Sequence, residues 1–181
     1  MPDPMLRSPL ALAAVPAPDG REPGVTLHEL RPAGLALVAA WPATLDRVEA
    51  ILRGPDRVLT LGPGRFLVVG ADADPVPALA EVLEVETAVV TDLGHARSVF
   101  RVAGPRAQDL LQKDLAFDLD PAAFAPGATA QAAIHHVGVI VHRRGEAEFE
   151  LYCFRGFALS LWEWLADAAL EYGCRVEASA F

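Results

Sequence analysis

From residue 25 onward one order keeps returning, two short extended runs followed by a helical run, and that order narrows the fold more than any single motif does. Val25 to Arg31 and Gly34 to Ala40 read as strands around a Pro32-Ala33-Gly34 turn, and Leu45, Val48 and Leu52 follow at helical spacing. Thr44 is placed to cap that helix and Gly54-Pro55 to stop it. The next unit has strands Arg57 to Leu61 and Phe66 to Val69 around Gly62-Pro63-Gly64, then a helix from about Val76 to Leu83. A third has strands Thr87 to Asp92 and Arg97 to Val102, with Gly104-Pro105 opening a helix that turns Ala107, Leu110 and Leu111 inward. The fourth has strands near Ala130 to His136, Val139 to Arg143 and Phe149 to Phe154, then the longest helix, Phe157 to Tyr172, closed by Gly173. Repeated β-hairpin/helix units predict an α+β fold, with antiparallel sheets and helices mainly on one face. Asp114 to Ala128, with Pro121, Pro126 and Gly127, has no period and reads as the longest loop. A division into two half-domains is expected near Val85.

Residues Met1 to Gly24 stand apart. Pro2, Pro4, Pro9, Pro16, Pro18 and Pro23 remove backbone donors and fix φ, so this segment is expected to be an extended arm held by a partner or a loose tail. Residues 25–181 hold the folded part. The apolar stretch Leu10 to Val15 is short and hemmed in by prolines, which argues against a secretory signal. Two cysteines, Cys153 and Cys174, make no CxxC pair, and a reduced, cytoplasmic setting is expected. Net charge is −9, and Lys113 is the sole lysine among fifteen basic residues scattered along the chain, so no phosphate-binding track exists and nucleic-acid partners are excluded. No apolar run approaches the ~18 residues of a membrane helix.

Sites for chemistry are scarce. His135, His136 and His142 are the residues most like metal ligands, but His136 and His142 in one strand would lie roughly 20 Å apart. No HxH or HxxxH spacing supports a shared ion, and no metal site is assigned. Asp114, Asp118 and Asp120 lack the glycine and closing glutamate of a calcium loop. GxGxxG, GxxxxGK[ST] and GxSxG are absent, and no catalytic residue is assigned. Cys153, in a strand of Leu151, Tyr152 and Phe154, reads as core filling. Asp92-Leu93-Gly94-His95-Ala96-Arg97 reads most simply as a hairpin loop with an Asx turn at Asp92, or else as an acid/base or anion site.

The last helix says more. Ser160, Glu163, Asp167 and Glu171 gather on one face, while Phe157, Leu161, Leu165, Ala168 and Tyr172 gather opposite, with Trp162 on the flank. Trp164 projects within about 60° of the polar face. An indole there calls for cover, either from a partner or from the arm or long loop of the same chain.

Several segments follow in a set order nearly end to end: Arg7-Ser8-Pro9-Leu10-Ala11, Gly62-Pro63-Gly64-Arg65-Phe66-Leu67-Val68-Val69, Asp92-Leu93-Gly94-His95-Ala96-Arg97, and Val102-Ala103-Gly104-Pro105 before Asp109-Leu110-Leu111. Phe124-Ala125-Pro126-Gly127 with Gln131, Phe149-Glu150-Leu151-Tyr152, and Arg155-Gly156-Phe157-Ala158 before Leu161-Trp162-Glu163-Trp164-Leu165 continue the series. In order and spacing these segments resemble the gamma subunit family of heterotetrameric sarcosine oxidase. The Gly62-Pro63-Gly64-Arg65-Phe66 turn departs from the more acidic, tryptophan-containing form of that family. The resemblance implies a fold related to the folate-binding aminomethyltransferase (T-protein). It also implies a non-catalytic role in assembling and stabilising alpha, beta and delta partners that oxidatively demethylate sarcosine to glycine. On it, FAD, FMN, NAD, zinc and tetrahydrofolate belong to the partner subunits and no cofactor to this chain. Pro9, Leu10 and Trp164 are then the expected partner interface. Two other readings stay open: a free-standing folate-dependent one-carbon protein with a pocket at Asp92 and His95, and the equivalent subunit of a complex acting on another N-methyl amino acid.

Overall fold

The computed structural model describes residues 8–10, 22–54 and 57–177. Of the proline-rich arm, only residues 8–10 and 22–24 fall within that range, and the rest of the arm lies outside the described residues. Contacts divide the described residues into two compact units, one made of those up to Arg31 together with those from Arg97 on, the other of Pro32–Ala96. The division expected near Val85 falls inside the second unit, because the strand that follows it pairs with a strand at residues 34–40.

In the first unit a six-stranded sheet runs in the order β10-β1-β6-β9-β8-β7. Its strands are β1 (Val25–Leu30), β6 (Arg97–Ala103), β7 (Thr129–Ile134), β8 (Val137–Gly145), β9 (Glu148–Phe154) and β10 (Cys174–Glu177). All neighbours are antiparallel except β1 and β10, which are parallel and pair Val25 with Cys174. Alternation along the strands sends Leu27, Phe100, Val102, Phe149, Leu151 and Cys153 into one core. They meet Leu110 and Leu111 of α3 (Ala107–Gln112) and Leu161, Trp162 and Leu165 of α4 (Ala158–Ala169). Phe100 and Trp162 stack at a tilt, ring centroids 5.7 Å apart. The expected helix Phe157 to Tyr172 is α4 with a 3-10 turn at each end, and Gly173, at φ 73°, ends it. Lys113, the sole lysine, donates to the Ala168 carbonyl at 2.9 Å and lies 2.7 Å from Glu171, covering the negative end of α4.

The second unit is a four-stranded sheet, β3-β4-β2-β5, made of β2 (Gly34–Ala40), β3 (Val58–Gly62), β4 (Arg65–Gly70) and β5 (Ala88–Asp92). One of its faces, with Ala36, Val38, Phe66 and Val68, packs on Val48 and Leu52 of α1 (Leu45–Leu52) and Leu79 of α2 (Pro75–Val82). Pro63-Gly64 turns β3 into β4, Gly64 holding φ 68°.

The α+β architecture with antiparallel sheets and few helices follows the sequence pattern, but its wiring differs. β1 and β2 are not a hairpin, nor are β5 and β6: each pair is consecutive in sequence yet divided between the two sheets. The Pro32-Ala33-Gly34 and Asp92 to Arg97 segments are therefore connections between units. Thr44 does not cap α1; its hydroxyl donates to the carbonyl of Thr87 at 2.6 Å, with that of Trp41 a second acceptor in reach at 3.1 Å. Asp74 does cap α2, accepting from the Val76 N–H at 3.0 Å.

Candidate functional site

The long loop after α3 is built around a buried cation. Arg143 of β8 is 1% exposed, and its guanidinium donates to the carbonyls of Leu119, Phe124, Gly145 and Glu146. A charge taken out of water without partners would be costly, so these carbonyls fix where the loop must pass. Gln112, at the end of α3, closes the other side: its Nε2 donates to the carbonyls of Leu115 and Phe117, and its Oε1 accepts from the Leu119 N–H. Leu115, Leu119 and Phe124 thereby enter the core, and Phe124 meets Phe117 edge to face at 5.2 Å.

Phe117 is one wall of a cleft of about 470 Å³ whose other walls include Asp114, Gln131, His135, His136 and Trp164. Trp164 is half-buried, packed on the core of its own unit. The long loop and the β7–β8 hairpin supply part of the cover that its place on the helix demands.

His135 and His136 form the two-residue turn of that hairpin, at φ 47° and 65°. The sequence pattern runs a strand through His136, where the structure turns. A two-residue antiparallel connection favours positive φ at both positions, and glycine or asparagine usually supplies it. Two histidines there cost about 1 kcal/mol each. A side chain of Asp114, which accepts a hydrogen bond from the His135 N–H, holds the turn. His142 lies elsewhere, its Nδ1 3.5 Å from Glu150 Oε2, and the Tyr152 hydroxyl donates to that same oxygen. The three histidines do not converge, and among the described residues no group of three or more His, Cys, Asp or Glu side chains could hold a metal ion.

The other expected positions are separate from the cleft. Asp92 Oδ1 accepts from the Gly94 N–H at 2.8 Å, an Asx turn, and both Asp92 and His95 are exposed. Ser8 donates from its hydroxyl to Glu29 at 2.6 Å and accepts from the Leu10 N–H at 2.9 Å, which lays half-buried Leu10 against the core of its own unit beside half-buried Pro9. Cys153 is a core residue, and burial pushes its thiol up to about 11, the nearby Arg97 opposing; burial also raises Cys174. What the residue pattern passed over is Trp41, 47% exposed at the end of β2 with its indole N–H bonded to the Val85 carbonyl at 2.8 Å. Its signal was visible only as the last residue of an apolar stretch.

Residues 57–179 match a family model described as the GCVT N-terminal domain. The chain is 30% identical over 154 residues to the sarcosine oxidase subunit gamma of Corynebacterium sp. (strain U-96), an alignment covering 83% of this chain and 72% of that one. It superposes on a chain of the solved heterotetrameric sarcosine oxidase from Corynebacterium sp. U-96 in complex with pyrrole 2-carboxylate, with a TM-score of 0.78 and 29% identity over 92% of this chain and 95% of that one. A glycine cleavage system aminomethyltransferase T from Bartonella henselae shares the fold, with a TM-score of 0.56 and 18% identity over 87% of this chain and 48% of that one.

Proposed function

This chain belongs to the family of sarcosine oxidase gamma subunits and carries the GCVT N-terminal domain, and from that premise we propose that it works as a non-catalytic subunit of a sarcosine oxidase type complex. Its task is to assemble and stabilise alpha, beta and delta partners that demethylate sarcosine oxidatively to glycine in the cytoplasm. FAD, FMN, NAD, zinc and tetrahydrofolate belong to those partners. The observation that carries the reading is the superposition on a chain of a heterotetramer over nearly the whole of both chains. In this chain Asp92, the carboxylate of the alternative folate pocket, accepts on Oδ1 from the Gly94 N–H of its own turn. Partner contact is expected at the half-buried Trp164 and along Pro9 and Leu10.

Co-expression with the large subunits of a sarcosine oxidase tests this. Leaving the chain out should lower the yield of complex and its oxidase activity severalfold, and Trp164→Ala together with removal of residues 1–24 should act in the same direction. Unchanged yield and activity in both experiments would sink the reading.

A further inference from the structure

In the second unit the corner after β2 is stapled to the turn before β5. The Trp41 indole donates to the Val85 carbonyl, the Trp41 N–H reaches the Thr87 carbonyl at 3.4 Å, and the Thr44 hydroxyl joins the carbonyls of Trp41 and Thr87. The staple leaves the apolar parts of these residues outside: Trp41 is 47% exposed, Val85 66% and Val89 39%. Val89 pairs with Ala39 across β2 and β5, two residues before Trp41 in the chain, and the Trp41 indole reaches the backbone of Val85. Glu84 and Glu86, both exposed, flank Val85, while Arg65 follows on the far side of Ala39.

We infer that Trp41, Val85 and Val89 form a ready-made docking surface for another protein chain presenting an apolar pocket edged by basic side chains. An indole whose N–H is already bonded within its own chain can be buried without losing a hydrogen bond to water, and its fixed pose lowers the ordering cost of association. Aromatic anchors of this kind carry interface energy out of proportion to their number. The acids beside Val85 favour basic side chains on the partner at that edge of the pocket. A net charge of −9 argues against a second copy of this chain as the occupant. The inference rests on the reading that this chain works inside a hetero-oligomer, and it adds the chemistry of the partner.

Hydroxyl-radical footprinting of the full chain, free and in the complex with the large subunits, provides the test. Trp41 and Val85 should be modified in the free chain and protected in the complex. Val85→Lys, at a position with little fold to disturb, and Trp41→Ala should each weaken assembly by about 30-fold or more. The pair Glu84→Lys and Glu86→Lys should slow association about tenfold and flatten its salt dependence. Equal modification of Trp41 in both states, or Val85→Lys binding as tightly as wild type, overturns the inference and leaves the proposed function standing. Protection already present in the free chain as a monomer assigns the cover to the chain itself, and protection that follows dimerisation assigns it to a second copy; both overturn the inference. A wild-type chain that forms no complex overturns it together with the function it rests on.

Discussion

Two indoles stand part way out of water in this chain, and they do so for different reasons. Trp164 lines a cleft with a loop that its own unit has fastened down from two sides, by Arg143 on β8 and Gln112 on α3. Among the described residues Trp41 has no such cover; its own polar atom is fastened and its ring is left about half exposed. A helical wheel detects the first and misses the second, since the wheel reports where a side chain points and is silent on what the chain lays over it. The difference teaches that an exposed aromatic is informative when its surroundings are rigid and its hydrogen bond is already made.

The largest expected effect breaks the cover of Trp164. Arg143→Met strands several buried carbonyls and should cost about 3–5 kcal/mol, measured by urea denaturation. Backbone hydrogen exchange in residues 114–128 should quicken while the Trp41 indole keeps its protection. Protection of residues 114–128 as strong as in wild type would mean that Arg143 does not hold the loop. Thr44→Val attacks the other side, losing a hydroxyl shared by two carbonyls; it should cost about 1 kcal/mol and loosen the Trp41 indole alone.

His136→Gly should raise stability by about 0.5–1 kcal/mol, because glycine takes positive φ freely. A loss of stability on that substitution would show that the imidazole contributes more than the turn costs. The effect that appears only at alkaline pH concerns Cys153 in the core beneath α4. Its thiol is raised by burial to about 11 from an ordinary value near 9, so the folded state keeps the proton that the unfolded state gives up. The stability contributed by the neutral thiol is therefore full below about pH 9 and declines as pH rises toward 11, and Cys153→Ala should remove that part of the decline in a urea series at several pH values. At pH 8 a thiol reagent should label half-buried Cys174 well before Cys153.

Much of the fold was legible because alternation and helical spacing are local. Val25 to Leu30, Gly34 to Ala40 and Phe149 to Phe154 declare themselves as strands by composition, and Gly173 ends the last helix at a positive φ that glycine takes freely. Pairing is not local. Pro32-Ala33-Gly34 and Gly62-Pro63-Gly64 look equally like turns, yet only the second joins neighbours in one sheet. β10 escaped notice because its four residues carry no period and its partner, β1, lies at the far end of the described chain. The His135-His136 turn escaped because it uses neither of the residues that usually announce one. Of the candidate site, the indole of Trp164 could be read from the sequence, whereas the loop over it could not, since Arg143 acts on carbonyls that any sequence would provide.

The segment 32–96 is an insertion between β1 and β6, and this sets an order on synthesis. β1 leaves the ribosome first, but its antiparallel partner arrives about 70 residues later and its parallel partner only with β10, so its edges stay open through a long loop closure. The inserted unit, whose strands pair only among themselves, has all its parts well before that. The nascent chain can thus complete its middle while its first strand waits for its last.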